Sequence, residues 1–222
     1  MTAGATDEAG DGAVPAGTGS LARAIREAII SGEFAPHQRL IETDLSSTYG
    51  ASRAAVRTAL LELAGEGLVD RMPHRGSRVR AISLEEAIEV LEVRIGVEGL
   101  CAAKAAERIT DEEITEFRQL RQDLVDSVES GNLMGYSEYN RRLDERVREV
   151  SRHGVAADVL SRLHAQSVRH QFRLSFQPAR AAKSAPEHAA IIDAIVARDP
   201  AAAEEATRVH LISVIEALRA TA

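Results

Sequence analysis

The chain has 222 residues, a length that suits two domains better than one. Apolar residues make up 45% of the chain and aromatic residues only 3%, which excludes a disordered protein and favours packed helices over a β-sandwich. The single cysteine, Cys101, excludes an intrachain disulfide, and no apolar run is long enough to span a membrane. We therefore expect a cytoplasmic protein with no membrane partner.

The formal net charge of −7 is distributed unevenly along the chain. Residues 1–19 contain three acids and no base, whereas residues 20–80 contain nine Arg and seven acids, a net charge of +2. The basic side chains are thus concentrated in one segment, as DNA binding requires. Because the excess is small, charge alone does not identify a nucleic-acid-binding domain.

Residues 1–19 are acidic, rich in Gly and Ala and nearly free of large apolar side chains, so we predict a disordered tail. A first helix follows, which we expect Ser20 to cap and Gly32 to end. Its spacing of apolar residues predicts an amphipathic helix whose buried stripe is Leu21, Ile25, Ala28 and Ile29.

Two further helices are separated by a glycine turn. Glu42 or Thr43 opens the first of them and Gly50 breaks it, while Ser52 is a good N-cap for the second and Gly65 closes it. A short helix, a glycine turn and an N-capped helix form the helix-turn-helix pattern.

A predicted β-hairpin follows these helices. Residues 68–72 and 77–81 have the pattern of two short strands, and residues 73–76 form the turn between them. Such a hairpin is a candidate wing. We therefore predict that residues 20–81 form a winged helix-turn-helix, a domain of α-helices with a small β-hairpin.

Residues 82–222 have a helical pattern throughout, which predicts an all-α antiparallel helical bundle. The predicted helices span residues 84–107, 110–130, 134–151, 156–176, 187–197 and 200–218, with a loop at 178–186. The sequence has no βαβ alternation and neither glycine-rich nucleotide-binding motif, which excludes a Rossmann domain and a P-loop.

These segments resemble a known family of bacterial regulators. Residues 20–80, with AIREAIISGEF, RLIETDLSSTYGASRAAVRTALLELAGEGLV and the wing RGSRV, resemble the DNA-binding domain of the GntR family. Residues 83–215, with LEVRIGVEGLCAAKAAERIT, NRRLDERVREVS and EHAAIIDAIVARDPAAAEEA, resemble the FCD ligand-binding domain of its FadR-like branch. His37 departs from the pattern, because the family usually has a glycine there. The resemblance implies a homodimeric transcription regulator, with a repressor favoured, that binds double-stranded operator DNA.

The helix after Ser52 is the predicted recognition helix. Arg53 and Arg57 lie one turn apart at its start, where guanidinium groups can bind guanine O6 and N7 or phosphates. Ser52, at the positive end of the helix, can bind a phosphate. The spacing alone would also fit two solvated arginines on a surface helix, and the family resemblance is what favours DNA binding.

The residues His74, Arg75 and Gly76 form the predicted tip of the wing. A glycine allows the positive φ that a tight hairpin needs, and the resemblance implies that the basic tip enters the minor groove. Arg39, before the second helix, could contact a phosphate. The alternatives are an ordinary exposed turn and a solvated arginine.

The resemblance also implies candidate metal ligands. Many FCD domains bind a divalent metal through an acid and three histidines, and these positions correspond here to Asn140, Asp144, His188 and His210. The two histidines match, whereas Asn140 replaces the usual aspartate and Asp144 replaces a histidine. Carboxylate and imidazole ligands still suit zinc, nickel or manganese. The alternative is that these residues line a polar pocket without a metal.

Arg94 is the candidate effector-binding residue. The resemblance implies that an arginine at this position faces the ligand cavity, where its fork of donors suits a small carboxylate effector. The alternative is a local ion pair with Glu98, four residues later on the same helix.

The competing functional class is an enzyme, a helical metallohydrolase that would use Asp144, His188 and His210. The sequence pattern offers no nucleophile paired with a base and no Glu placed as a general base beside the histidines. We therefore expect a ligand-responsive DNA-binding regulator rather than an enzyme.

Overall fold

The computed structural model describes residues 18–72, 75–175 and 177–220, with the side chains of residues 18–20, 164–173 and 175 left undescribed. The chain divides into two compact units, Met1–Arg80 and Ala81–Ala222. Most of the predicted tail at residues 1–19, and the wing residue His74, lie outside the described residues. Of the helices within the described ranges, none is both long enough and apolar enough to cross a bilayer.

The first unit combines helices with a small antiparallel sheet. Its strands lie in the order β1-β3-β2, with Asp70 opposite Arg78 in the hairpin and Leu40 opposite Ser77 at the other edge. This is the predicted winged helix-turn-helix. In chain order its elements are α1 (Thr18–Ser31), β1 (Arg39–Leu40), α2 (Glu42–Thr48), α3 (Arg53–Gly65), β2 (Val69–Met72) and β3 (Gly76–Val79).

Apolar side chains hold α1 against α3. Ile25 on α1 and Val56 and Leu63 on α3 are fully buried where the two helices pack together, and each such side chain contributes about 1.5–3 kcal/mol to folding. The predicted start of the first helix is wrong, because α1 begins at Thr18 and Ser20 lies inside it. Backbone hydrogen bonds in the first turn decide where a helix begins, so a good capping residue alone does not fix the boundary.

The recognition helix α3 begins where the sequence predicts. The Ser52 hydroxyl accepts a hydrogen bond from the Ala55 backbone N–H at 3.2 Å, a cap that contributes about 1 kcal/mol. Gly50, in the turn before it, has a φ of 60°, which a glycine adopts without a steric penalty. The cap fixes the first turn of α3, and with it the position of Arg53.

The backbone at His37 explains why the family usually has a glycine there. His37 has a φ of 64°, in the left-handed region where a Cβ atom costs about 1–2 kcal/mol. Its N–H donates to the carbonyl of Val79 at 3.0 Å, which ties the turn before β1 to the end of β3. The side chain is exposed, so nothing buried compensates for this backbone strain.

The second unit is the predicted all-helical bundle. α4 lies at its centre and packs against α6, α7, α8 and α9. Ala102, Ala105 and Ala106 of α4 are fully buried, and their small size allows neighbouring helices to approach closely. In chain order the helices are α4 (Leu84–Arg108), α5 (Asp111–Glu129), α6 (Leu133–Ser151), α7 (Gly154–Ser175), α8 (Pro178–Val196) and α9 (Pro200–Arg219).

The predicted loop at residues 178–186 is wrong, because this segment is the first half of α8. Pro178 lies in the first turn, where its missing N–H is not needed. Pro186 lies inside the helix and cannot donate to the carbonyl four residues earlier, which costs about 3 kcal/mol or more. Ala181 and Ala185 are buried in the core, and this tertiary packing, which the local sequence does not reveal, offsets the cost.

Candidate DNA-binding face and ligand cavity

The predicted DNA contacts of the first unit lie on α3. Arg53 is exposed in the first turn, and its side chain has no hydrogen bond or ion pair with any residue that the structure describes. Arg57, one turn later, forms a two-pronged ion pair with Glu42 at the start of α2. Its Nε lies 3.1 Å from Oε1 and its Nη2 lies 2.8 Å from Oε2. No sequence pattern predicts this ion pair, because its two residues lie on different helices.

The wing residues are held from the opposite edge of the sheet. Gly76, at the start of β3, has a φ of 81°, the positive value expected for the turn. Arg75 is exposed, and its carbonyl accepts a hydrogen bond from Arg39 Nη2 at 3.0 Å. Arg39 therefore braces the wing turn from β1, a role that sequence did not predict. His74 lies outside the described residues, and the contacts of all these residues with DNA stay predictions.

The second unit contains a cavity of about 50 Å³. Its wall contains every residue that the sequence analysis assigned to a metal or an effector: Arg94 from α4, Asn140 and Asp144 from α6, His188 from α8 and His210 from α9. The bundle thus brings together residues that are far apart in sequence, and what they bind stays a prediction. The remaining wall residues are Glu98, Tyr136, Leu174, Arg180, Ser184, Leu211 and Val214.

A pair of histidines faces each other in this wall. The Nε2 atoms of His188 and His210 are 3.2 Å apart. Behind them, the Nδ1 of His188 lies 3.3 Å from the Tyr136 hydroxyl, and the Nδ1 of His210 lies 2.8 Å from Glu187 Oε2. Because an ionised carboxylate only accepts hydrogen bonds, the Nδ1 of His210 carries a proton.

Glu187 is ionised because three donors surround it. Arg180, itself only 7% exposed, donates from Nη2 to Glu187 Oε2 at 2.9 Å and from Nη1 to the Ser213 hydroxyl at 2.8 Å. Desolvation acts to raise the pKa of Glu187, but hydrogen bonds from His210, Ser213 and Arg180 outweigh it and lower the pKa to about 2. A connected polar chain thus runs from Tyr136 through both histidines to Arg180.

Burial shifts the pKa values of Asp144 and His188, which line the cavity. Desolvation raises the pKa of Asp144 to about 6, an effect that the charge of Glu98 reinforces and that of Arg94 opposes. Desolvation, with the nearby charges of His210 and Arg180, holds the pKa of His188 well below its ordinary value. His188 is therefore a neutral imidazole at neutral pH, the form that binds metals and accepts hydrogen bonds.

Arg94 forms the predicted ion pair with Glu98 and also lies in the cavity wall, while its binding of an effector stays a prediction. Its Nε donates to Glu98 Oε1 at 2.6 Å, as the four-residue spacing predicts. The side chain is only 2% exposed and also lines the cavity. Arg94 is thus a buried cation that Glu98 stabilises and orients.

A second, smaller cavity of about 30 Å³ shares part of the same wall. Asp144, His188, His210 and Glu98 line both spaces. The rest of its lining consists of the polar side chains of Arg148 and Thr207 and the mostly apolar set Cys101, Leu143, Val147, Leu160 and Ile191. The histidine pair therefore borders both cavities.

The histidine pair fits part of a metal site. An Nε2 separation of 3.2 Å suits two ligands that each lie about 2.1 Å from one ion. The carboxylate of Glu187 behind His210 is the kind of partner that orients a metal-bound histidine. However, no group of three or more His, Cys, Asp or Glu side chains among the described residues is arranged to hold a metal. The predicted divalent metal therefore stays a prediction.

Several residues of this network are not among the predicted site residues, namely Tyr136, Arg180, Glu187 and Ser213. A usable signal existed for two of them, since Arg180 and Glu187 are seven residues apart and share one face of a helix. The predicted loop at 178–186 concealed that relationship. Tyr136 and Ser213 carried no local signal, because only the packing of α6 and α9 against α8 makes them neighbours of the histidines.

Comparisons with known proteins agree with both units. Residues 18–79 match the model of the gntR family of bacterial regulatory proteins, and residues 89–213 match the FCD domain. The HTH-type transcriptional repressor RspR of Escherichia coli (strain K12) is 29% identical over 203 residues, which cover 89% of this chain and 86% of RspR.

A second relative and a solved structure extend the likeness. The "Probable D-xylose utilization operon transcriptional repressor" of Paenarthrobacter nicotinovorans is 26% identical over 79% of this chain and 77% of its own length. The structure of E. coli McbR/YncC superposes with a TM-score of 0.79 at 20% identity, and covers 92% of this chain and 97% of McbR/YncC. That likeness shows a shared fold.

RspR and the Paenarthrobacter nicotinovorans protein are both named as transcriptional repressors, and the match to the gntR family favours a DNA-binding regulator over the alternative of a helical metallohydrolase. The family model of the first unit and the FCD model of the second occur in the order that the two resemblances predict. The chain therefore belongs to the gntR family of bacterial transcription regulators and carries an FCD domain.

Proposed function

We propose that this chain is a repressor whose affinity for its operator is controlled by a small carboxylate in the cavity of the FCD domain. The observation that carries this proposal is the buried Arg94 in the wall of a cavity that also contains the histidine pair. A guanidinium group held away from water binds a carboxylate through charge-assisted, two-pronged hydrogen bonds. Arg180, which is paired with Glu187, lies in the same wall.

The DNA-binding half of the proposal is supported by the exposed start of α3. Arg53 is exposed and free of intramolecular hydrogen bonds to the described residues, as a side chain that contacts base edges must be. We propose that two copies bind a palindromic operator as a homodimer, because a two-fold operator matches a two-fold protein. The location that follows from this function is the cytoplasm, where operator DNA lies.

The metal-binding part of the proposal is supported by the geometry of His188 and His210. We propose that zinc, nickel or manganese would bind to the two facing Nε2 atoms, with Asp144 as a third ligand after a side-chain adjustment. A bound ion would supply open coordination positions for the carboxylate of an effector. Without a metal, a histidine N–H of the pair would donate a hydrogen bond to that carboxylate.

Thermal unfolding tests whether a small carboxylate binds to the folded protein. We would screen the full-length protein, after treatment with a chelator, against a panel of small mono- and dicarboxylates. A carboxylate that binds the folded protein, at a concentration about 100 times its Kd, stabilises it by about 2.7 kcal/mol and raises the Tm by several degrees. The same carboxylate should then change the affinity for operator DNA.

Two double variants separate binding in the cavity from general effects of charge. Arg94→Gln with Glu98→Gln removes both charges of the buried pair, so that neither is left unpaired, and should abolish the shift in Tm. Lys104→Gln with Glu107→Gln removes an exposed ion pair of the same helix and should keep it. No shift with any carboxylate, or an equal shift in both double variants, would contradict the proposed effector site.

A further inference from the structure

The ion pair between Arg57 and Glu42 constrains a side chain that faces the predicted DNA groove. Arg57 is 61% exposed and Glu42 36% exposed, so the pair lies on the surface. Two hydrogen bonds nevertheless fix the guanidinium group through its Nε and Nη2 edge. A guanidinium group has five N–H donors, and the outer edge formed by Nη1 and Nη2 still has donors available.

Glu42 is an acid among arginines. The hydrogen bond from Arg57 is the main reason that the pKa of Glu42 lies below its usual range, and the charges of Arg53 and Arg71 add to this effect. Glu42 and Arg57 also line a groove of about 350 Å³, whose other residues are Leu60 of α3 and Arg71, Met72, Gly76 and Ser77 of the hairpin. A carboxylate at this place repels DNA phosphates, so its presence weakens non-specific binding.

We propose that Glu42 is a specificity-determining residue that positions Arg57 for a guanine in the major groove; this inference rests on the proposed binding of operator DNA by α3. Glu42 holds the Nε edge of Arg57, so the outer edge points in one direction and can meet the O6 and N7 acceptors of guanine. Glu42 also neutralises the charge of Arg57. Arg57 then adds little to the attraction for phosphates, and its contribution depends on the base that it meets.

If Glu42 has this role, its loss should have opposite effects on the affinity for operator DNA and on the affinity for non-specific DNA. Without the carboxylate, Arg57 is free to bind any nearby phosphate. Each additional phosphate contact steepens the dependence of log affinity on log salt by about 0.9. Loss of Glu42 should therefore increase the affinity for DNA of arbitrary sequence while it weakens the preference for the operator.

The experiment starts from a library of DNA duplexes with a randomised central segment about two helical turns long. Full-length parent protein selects its preferred sequence from this library, and a scrambled duplex of the same composition serves as non-specific DNA. The measured quantity is the ratio of affinities for the two duplexes, together with the salt slope on each. Glu42→Gln should lower the ratio about tenfold, the size of one good bidentate base contact, and steepen the slope on scrambled DNA by about one.

Two comparison variants control for charge and for folding. Glu62→Gln removes the same charge from α3 at a residue that pairs with Arg26 instead, and should leave the ratio unchanged. Glu42→Asp keeps the charge but shortens the side chain by one methylene, which breaks the two-pronged contact. It should lower the ratio without a steeper salt slope, and it serves as the test if Glu42→Gln does not fold.

A double-mutant cycle separates positioning from a structural role. In an Arg57→Ala background, Glu42→Gln should leave the affinity ratio unchanged, because Glu42 acts through Arg57. An equal loss in both backgrounds would overturn the inference, and so would a folded Glu42→Gln protein with the parent's ratio and preferred sequence. A parent protein that selects no sequence at all would contradict operator recognition itself, and the role of Glu42 with it.

Discussion

The imidazole rings of His188 and His210 meet through their Nε2 atoms at 3.2 Å. Each ring is held from behind, His188 by the Tyr136 hydroxyl and His210 by the ionised Glu187. Since the pKa of His188 is well below its ordinary value, this ring is neutral at neutral pH. The pair is therefore pre-arranged either to share one proton between the rings or to bind one ion with both lone pairs.

The first prediction distinguishes these two states of the histidine pair. On protein stripped with a chelator, titration calorimetry with zinc, nickel and manganese should detect binding that disappears in the His188→Ala, His210→Ala double variant. Tyr136→Phe keeps the ring but removes the hydroxyl behind His188, and should weaken the metal about 10- to 100-fold. The absence of heat with all three metals would leave the hydrogen-bonded pair as the functional state.

The second prediction concerns the start of α5 and its dependence on pH. Glu113 and Thr110 form a capping box, in which Glu113 Oε2 accepts from the Thr110 N–H at 2.9 Å and Thr110 Oγ1 from the Glu113 N–H at 3.3 Å. Desolvation acts to raise the pKa of Glu113, but the Thr110 N–H and the Arg152 guanidinium outweigh it and lower the pKa. A lowered pKa in the folded state means that the ionised carboxylate stabilises the protein.

This stabilisation is complete above the ordinary pKa of 4.5 and is lost as the pH falls below it. Glu113→Ala should lower the free energy of unfolding by about 1 kcal/mol at neutral pH, and the difference should shrink in acid. Glu112→Ala, in the same helical turn but outside the capping box, is the control and should cost less. Urea denaturation at several pH values measures both, and a cost of Glu113→Ala that does not change with pH would contradict the role of its charge.

The third prediction concerns the strained backbone at His37. His37→Gly should raise the free energy of unfolding of the first unit by about 0.5–1 kcal/mol, because the relief of left-handed strain exceeds the added entropy of the unfolded chain. His37→Ala retains the Cβ atom and should not stabilise. Equal stabilities of the two variants in urea would show that the strain is absent in solution.

The fourth prediction concerns the wing. Arg75→Ala should weaken binding to operator DNA and make the salt slope shallower by up to about one, as the loss of one phosphate or groove contact requires. Because Arg39 binds the backbone carbonyl of Arg75 and not its side chain, this substitution leaves the brace of the turn intact. Fluorescence anisotropy over a range of salt concentrations measures the slope, and an identical slope in variant and parent would place the wing away from DNA.

The sequence predicted the architecture well wherever periodicity and capping residues act locally. Ser52 caps α3 and Thr110 opens α5 as their residue types indicate. The local pattern failed at Pro178 and Pro186, because the burial of alanines on α8 outweighs the cost of a proline inside the helix. The sequence shows the prolines that destabilise the helix but not the buried contacts that stabilise it, so the fold is needed to compare the two.

At the candidate sites, too, sequence predicts some residues, whereas contacts between helices appear only in the fold. His188 and His210 were identified through the family resemblance, and the bundle does bring their rings together. The sequence pattern does not single out Glu187, the neighbour of His188, because its partner Arg180 falls in the predicted loop at 178–186. Glu42 and Arg57 are fifteen residues apart and lie on different helices, so no local spacing predicts their ion pair. Contacts between two helices depend on how the helices pack together, and the periodicity of either helix alone does not predict this packing.

Whether α3 reads the operator is tested by the affinity of Arg53→Ala for operator DNA, measured by anisotropy on the duplex that the parent protein selects. Arg53 is exposed in the first turn of α3, so its removal should leave the fold intact and weaken operator binding by about 1–3 kcal/mol, with little change on scrambled DNA. Arg23→Ala, at an exposed arginine of α1, should retain the parent's affinity. A folded Arg53→Ala protein with unchanged operator affinity would contradict the claim that α3 reads the operator.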